Sequence, residues 1–357
     1  MSATEHATGN ATGNATGHVA DAGADHAAAT VPEARFDWLP LALLVALVAA
    51  ALPLVGSAST WLTLTVAGLA MGLIVFIIAS GLTLVFGLMD VLNFGHGVFI
   101  AFGAFVATTV LGAMSAWTAS PLLGMNLVAV FAAMLAGMAL AGAIGWAFER
   151  VIVRPVYGRH LEQILITMGG MIVGEELIKV VWGPLQIPLP PPAALSGALF
   201  VGDAAIDKFR LFAAAVGLAV FVAMAWVLAR TKVGLLVRAG VQDREMVEAL
   251  GYRVRRLFVG VFVVGSALAG LGGVLWGLYQ TSVTPQIGSQ VNILLFIVII
   301  IGGLGSTLGC FVGALLVGVL ANYTGFLAPK VALFSNIGLM VAILLWRPRG
   351  LYPVTTR

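Results

Sequence analysis

From Trp38 onward, long apolar runs alternate with short polar stretches. A helix needs about 20 consecutive apolar residues to cross a lipid hydrocarbon core, and the runs reach or approach that length. We read ten such segments: 38–56, 61–88, 96–117, 124–148, 164–182, 211–229, 258–280, 288–304, 307–326 and 331–346. The pattern therefore predicts an all-α, polytopic transmembrane helical bundle. Because 61–88 is long and 288–304 is short, either can be broken or re-entrant, and we predict eight to ten spans.

Residues 1–36 differ from everything that follows. They repeat Ala-Thr-Gly-Asn between Ala7 and His18 and contain no apolar run. A segment of this kind cannot bury enough apolar surface to fold. We predict a disordered, low-complexity tail over 1–36 and a transmembrane domain over 37–357.

Composition supports the membrane assignment and excludes several function classes. Hydrophobic residues make up 61% of the chain and charged residues 9%, which is more apolar surface than a soluble domain of this length can bury. The single cysteine, Cys310, allows neither an intrachain disulfide nor a cysteine-based metal site. The net charge is only +3, so nucleic-acid binding has no support. We expect no metal site and no cofactor.

The basic residues predict an orientation. Lysine and arginine accumulate in cytoplasmic loops. With a cytoplasmic N-terminus and ten spans, both termini are cytoplasmic. Of the 18 lysines and arginines, the outer side then keeps only Lys179, Lys208, Arg210 and Lys330. The opposite orientation would place nearly all basic residues outside, so we prefer the first.

Two loops are longer than turns. The outer loop 183–210 is rich in proline, including the run 190–192, which predicts a stiff, extended path. It could serve as a docking surface, a lid or a plain connector. In the inner loop 230–257, residues 241–250 (VQDREMVEAL) predict a short helix that ends at Gly251. Its apolar side must pack against lipid headgroups or a partner protein, and both interpretations remain open.

Polar residues interrupt the apolar sequence between Gly81 and Ala107. Asp90, Asn93 and His96 separate two apolar stretches, which predicts a broken helix. Because polar groups inside a membrane bundle usually pair or line a cavity, Asn93 and His96 are candidates for a translocation path. Alternatively, they cap and join two helices.

Two further carboxylates are candidates for the same path. Glu175 and Glu176 lie within the apolar segment 164–182, where they either face the bundle interior or pair with Lys179. The Gly-rich stretch 302–309 is not a phosphate loop, because it lacks the Gly-Lys-Ser/Thr ending. It predicts a helix break or a close-packing turn.

Several motifs resemble those of the branched-chain amino acid ABC permeases of the LivH type. Residues 92–97 (LNFGHG) are similar to the Asn-Phe-Ala-His-Gly signature, although Val98 replaces the acidic residue of many members. Residues 242–245 (QDRE) with Leu250 and Gly251 resemble the coupling loop, in which Glu245 and Gly251 match Glu-Ala-Ala-x3-Gly but the two alanines do not. Further matches, in family order, are 149–150, 154–155, 165–169, 182–184, 302–306 and 347–351.

The resemblance implies a permease subunit of an ATP-driven importer in the bacterial inner membrane, without catalytic residues of its own. It implies a second, homologous permease, two cytoplasmic ATPase subunits, a periplasmic substrate-binding protein and contact with membrane lipid. By the same resemblance, the residues that couple to the ATPase are Asp243, Arg244, Glu245, Glu248 and Gly251.

Alternatives to a branched-chain amino acid importer remain at this stage. Relatives in the same family carry urea, short amides or other small organic acids. An ion-coupled secondary transporter that works alone is a second alternative. A membrane-embedded enzyme that uses His96 with Asp90 or Glu175 is a third, although no spacing of a nucleophile and a base supports it.

Overall fold

The computed structural model describes residues 37–242, 244–251 and 253–353 of the chain. Side-chain environments are described for all of these residues except 233, 238, 240–242, 244, 245 and 333. The predicted tail over 1–36 and the coupling candidate Asp243 lie outside the described residues.

All ten predicted apolar segments are helices. The described helices are α1 (Leu39–Val55), α2 (Ala58–Met89), α3 (His96–Ala113), α4 (Ser115–Thr118), α5 (Leu123–Phe148), α6 (His160–Trp182), α7 (Lys208–Arg230), α8 (Lys232–Gln242), α9 (Arg244–Ala249), α10 (Val254–Gln280), α11 (Ile287–Gly302), α12 (Thr307–Leu327) and α13 (Ala332–Trp346). A π-helical turn, Glu149–Val153, and a 3-10 turn, Arg154–Val156, continue α5. The long segment that we considered as broken, 61–88, is instead the uninterrupted helix α2.

Helix lengths agree with a polytopic helical membrane protein. Six of the described helices are long and apolar enough to cross a membrane: α2, α3, α5 with its extension, α7, α10 and α12. The apolar stretches in α1, α11 and α13 have between 10 and 17 residues. Helix α6 has 23 residues, and four charged residues interrupt its apolar sequence: Glu162, Glu175, Glu176 and Lys179. The total of eight to ten spans stays a prediction.

Helices α2 and α10 form the centre of the bundle. Helix α2 packs most extensively on α12 and α10, and α10 also packs on α5 and α3. Glycines lie where these helices cross: a Cβ at Gly81 would overlap the backbone of Gly265, and one at Gly72 would lie 2.7 Å from the carbonyl oxygen of Ala314. In lipid, where the hydrophobic effect does not bring helices together, such close approach maximises van der Waals contact.

The outer loop is more structured than its prolines predict. Within it, strands β2 (Ala198–Val201) and β3 (Ala204–Asp207) form an antiparallel hairpin, and β1 (Ile187–Pro188) pairs with β4 (Ser282–Val283) beyond α10. The side-chain carbonyl of Asn126 on α5 accepts a hydrogen bond from the Ala194 amide at 2.8 Å. The loop is therefore tied to α5 and to the end of α10.

Candidate functional site

The predicted break between two apolar stretches is present. Helix α2 ends at Met89, and Asp90 caps it in the left-handed conformation at φ +51°, with its amide donating to the Phe86 carbonyl at 2.9 Å. Helix α3 begins at His96. The segment 90–95 therefore joins two membrane helices through non-helical backbone, whose polar groups need partners within the protein.

Three separate elements supply partners to this segment. The side-chain carbonyl of Asn93 accepts a hydrogen bond from the Gly95 amide at 3.0 Å. The Phe94 amide donates to the Thr167 hydroxyl on α6 at 3.2 Å, and the Phe94 carbonyl accepts from the Asn292 side chain on α11 at 2.8 Å. Thr167 lies in the 165–169 motif, so two distant sequence motifs meet here.

Asn292 was not predicted from the sequence. It lies inside the apolar segment 288–304, where a lone asparagine gives no sign of its partner almost 200 residues earlier. Its role depends on helix α11 passing close to the break: a Cβ at Gly97 would lie 2.7 Å from the carbonyl oxygen of Gly288. The only available signal was that an amide within an apolar run needs a partner.

His96 and Asn93 are both buried and only partly hydrogen-bonded. His96 is 1% exposed, and its Nε2 atom lies 3.2 Å from the carbonyl oxygen of Ile78. His96 Nδ1 and Asn93 Nδ2 have no hydrogen-bond partner among the described residues. The side-chain oxygen of Asn292 is equally unpartnered. Buried polar atoms without hydrogen-bond partners destabilise the folded state. The break therefore holds three polar atoms that are available to water or to a polar solute.

The two glutamates of α6 differ from each other. Glu176 is exposed and accepts a hydrogen bond from the Lys179 ammonium group at 2.6 Å, which is the pairing predicted three residues apart. Glu175 is half-buried, and one of its carboxylate oxygens is buried without a hydrogen-bond partner among the described residues. The preceding Gly174 packs directly on Val98 of α3. Glu175 thus follows directly on a residue that packs against α3, whereas Glu176 is exposed and paired with Lys179.

The loop 230–257 is helical, as predicted over 241–250, but its helical backbone begins earlier, at Lys232. It is described as α8, Lys232–Gln242, and α9, Arg244–Ala249, on either side of residue 243. Apolar residues before position 241, such as Leu236 and Val237, extend the helical pattern towards the N-terminus. They give α8 a face that packs on the bundle. The predicted end at Gly251 is confirmed, because this glycine has φ +83°.

Each of these two short helices is anchored to the bundle. Val237 on α8 packs with Leu88 of α2 and Val261 of α10. Val247 on α9 packs with Val254 and Phe258 at the start of α10, next to Met89. Helix α8 therefore contacts the end of α2 that immediately precedes the break, and α9 packs on α8 and on the start of α10 beside it.

The side of α9 that faces away from the bundle carries exposed side chains. Met246 and Leu250 are exposed, at 61% and 69%, and lie one turn apart on the same side of the helix. Glu248 is also exposed. The side chains of Arg244 and Glu245 fall outside the described environments. The described part of the loop thus presents apolar and acidic groups away from the bundle.

A family model decides the classification of the chain. The model described as "Branched-chain amino acid transport system / permease component" matches residues 64–345. The chain belongs to this family. The match spans the break, α6, α8, α9 and α11.

Named relatives of the permease support this family assignment. Over 80% of its length it is 27% identical to the high-affinity branched-chain amino acid transport system permease protein LivH of Salmonella typhimurium, of which it covers 92%. It is 29% identical to BraD of Pseudomonas aeruginosa, over 80% of the chain and 93% of that protein. LivM of Escherichia coli is 27% identical over 82% of the chain and 70% of its own length. The permease is thus similar to both LivH and LivM.

Proposed function

We propose that this permease is a membrane-spanning subunit of an ATP-driven importer and forms the translocation path for branched-chain amino acids. It pairs with a second, homologous permease. Two cytoplasmic ATPase subunits hydrolyse the ATP, and a periplasmic binding protein delivers the substrate. The multi-pass chain lies in the inner membrane with both termini in the cytoplasm, and it has no catalytic activity of its own.

The observation that carries this proposal is the family match over residues 64–345. The names of the relatives supply the substrate class, because LivH, LivM and BraD are all named as branched-chain amino acid transport permeases. The occurrence of LivH and LivM in one species supports the pairing of two homologous permeases.

We assign the ATPase contact to α9 and its neighbours, with Asp243, Arg244, Glu245, Glu248 and Gly251 as coupling residues. The exposed apolar side chains of Met246 and Leu250 support a protein partner, since exposed anchors of this type supply affinity while charges supply register. The buried contacts of Val247 and Val237 would transmit the movement of the ATPases to the end of α2.

We assign the path to the region of the break, with Asn93, His96, Glu175 and Glu176 as candidates. The unpartnered buried atoms of Asn93, His96 and Glu175 support this choice, because an amino acid presents charged groups that need polar partners inside a membrane. Glu176 has weaker support, since its carboxylate pairs with Lys179. Asn292 joins the candidates through its unpartnered oxygen.

Substitution of Gly251 tests the coupling assignment. Gly251→Val forces a branched side chain into the left-handed region, which costs about 1–2 kcal/mol or more and displaces the end of α9. We expect co-purification of the ATPase subunits to fall about tenfold, the equivalent of about 1.4 kcal/mol of binding. Gly251→Asn should retain most of the ATPase, because asparagine tolerates this conformation.

The matched control is Gly202→Val in the outer hairpin. Gly202 also has a positive φ, +61°, and neither glycine has another atom within 4 Å of the position of a Cβ. The two substitutions impose comparable strain at different places. Equal ATPase recovery with Gly251→Val and Gly202→Val would refute the coupling role of this loop.

A further inference from the structure

A basic cavity lies where α5 and α10 meet the predicted cytoplasmic surface. Its volume is about 580 Å³, within the usual range of small-molecule sites. The lining residues come from the end of α5 with its π-helical turn, from α9, and from the start of α10. They are Trp146, Glu149, Arg150, Arg154, Glu248, Arg253, Val254, Arg255, Arg256 and Val259.

The described charges around this cavity are unbalanced. Among the residues with described side chains, five arginines and two glutamates line it. None of the five arginines forms an ion pair with another described residue. The Glu149 side chain is buried and already accepts a hydrogen bond from the Tyr157 hydroxyl at 2.8 Å. Like charges that converge on one space repel each other, and a bound anion removes that repulsion.

Arginine favours a particular kind of anion. The planar guanidinium group matches phosphate oxygens with two parallel hydrogen bonds. A phosphate could come from a lipid headgroup or from free phosphate in solution. The chemistry of the site is the same for both, so the position of the cavity must distinguish them.

The position of the cavity favours a lipid headgroup over free phosphate. The cavity opens at the ends of two helices that are long and apolar enough to cross the membrane. Trp146 is 51% exposed, and the Arg150 guanidinium lies 5.9 Å from the centre of its ring. Tryptophan is enriched at the level of the headgroups. The apolar lining by Val254 and Val259 suits the glycerol and upper acyl part of a lipid.

We propose that this cavity binds the headgroup of an anionic phospholipid. Basic pockets between membrane helices on the cytoplasmic side are suited to such headgroups. The bound lipid would contact both α5 and the start of α10, beside Glu248 on α9. It would thereby stabilise the end of the cytoplasmic loop that we assign to ATPase coupling, although the binding itself does not depend on that assignment.

Native mass spectrometry of the full chain in detergent tests the proposal, with phosphatidylglycerol and phosphatidylcholine as probes. We expect the wild type to retain phosphatidylglycerol preferentially. Each arginine near an anionic headgroup contributes about fivefold to binding, so Arg150→Gln with Arg253→Gln should weaken phosphatidylglycerol binding about 25-fold. Arg150→Lys with Arg253→Lys keeps the charge but not the paired hydrogen bonds, so it should bind phosphatidylglycerol more tightly than the double glutamine variant, which separates lost charge from lost folding.

The matched control removes the same charge elsewhere. Arg230→Gln with Lys232→Gln changes two exposed basic residues that lie outside the cavity, and it should leave the lipid preference unchanged. Equal retention of the two lipids by the wild type, or equal losses with both double variants, would overturn the proposal. Displacement of the lipid by inorganic phosphate alone would identify a soluble anion as the ligand and would overturn the lipid assignment.

Discussion

Gly103→Leu is expected to prevent the chain from reaching its folded state. A Cβ at Gly103 of α3 would overlap the backbone of Gly270 on α10, and the contacted atoms are main-chain atoms that cannot rotate away. Overpacking a well-packed interior costs about 1–3 kcal/mol when side chains can adjust, and more is expected here. Detergent-solubilised protein should elute as aggregate in size-exclusion chromatography, or melt at a much lower temperature.

The same helix provides the control. Gly112 lies nine residues further along α3, is exposed, and has no atom within 4 Å of the position of a Cβ. Gly112→Leu should therefore yield a monodisperse protein with a melting temperature close to that of the wild type. If Gly103→Leu behaved like Gly112→Leu, the close packing of α3 on α10 would be wrong.

His96→Leu is expected to leave the chain folded and to remove most of its transport. The Ile78 carbonyl that His96 contacts lies in the middle of α2, where helical hydrogen bonding also satisfies it. The stability cost should therefore be small. A hydrogen bond to a charged substrate group contributes about 1.5–3 kcal/mol, so uptake should fall about 10- to 100-fold.

Ser80→Ala is the control for this substitution. Ser80 is also buried, on the same helix as Ile78, but its hydroxyl donates only to the Ile77 carbonyl of its own helix at 2.7 Å. We expect Ser80→Ala to transport normally. Normal uptake by a folded His96→Leu variant would show that His96 only joins two helices and would remove it from the path.

The number and place of the apolar helices followed from the sequence, because each needs only a local run of apolar residues. The break at 90–95 was also predictable, since Asp90, Asn93 and His96 interrupt such a run. The length of segment 61–88 suggested a possible break, but this helix is continuous. Its small residues allow close packing along the whole helix, so no bend is needed.

Contacts between distant segments could not be predicted in the same way. The bond from Asn292 to the Phe94 carbonyl joins residues 198 positions apart, and no local pattern specifies it. The five arginines around the basic cavity occur in two separate stretches, 150–154 and 253–256, and neither stretch indicates that it meets the other. Their convergence depends on how α5 and α10 cross, which the apolar pattern does not determine.

The candidate site was predicted in part. Asn93 and His96 do lie together at the break, buried and incompletely hydrogen-bonded. The predicted pairing with Lys179 holds for Glu176. The loop 230–257 is helical on both sides of residue 243, and its helix ends next to Gly251, as predicted. Its helical backbone begins at Lys232, however, which was not predicted because the apolar pattern before residue 241 was overlooked. Whether these residues act in transport stays a prediction.

Reconstitution into liposomes tests whether the chain is a subunit of an ATP-driven leucine importer. Proteoliposomes would contain this chain with a homologous permease and ATPase subunits, with the binding protein and radiolabelled leucine on the outside and ATP on the inside. We predict leucine uptake that requires ATP and all of these components, with no uptake by the chain alone under an ion gradient. Accumulation of leucine by the chain alone, or uptake of urea but not leucine by the full assembly, would contradict it.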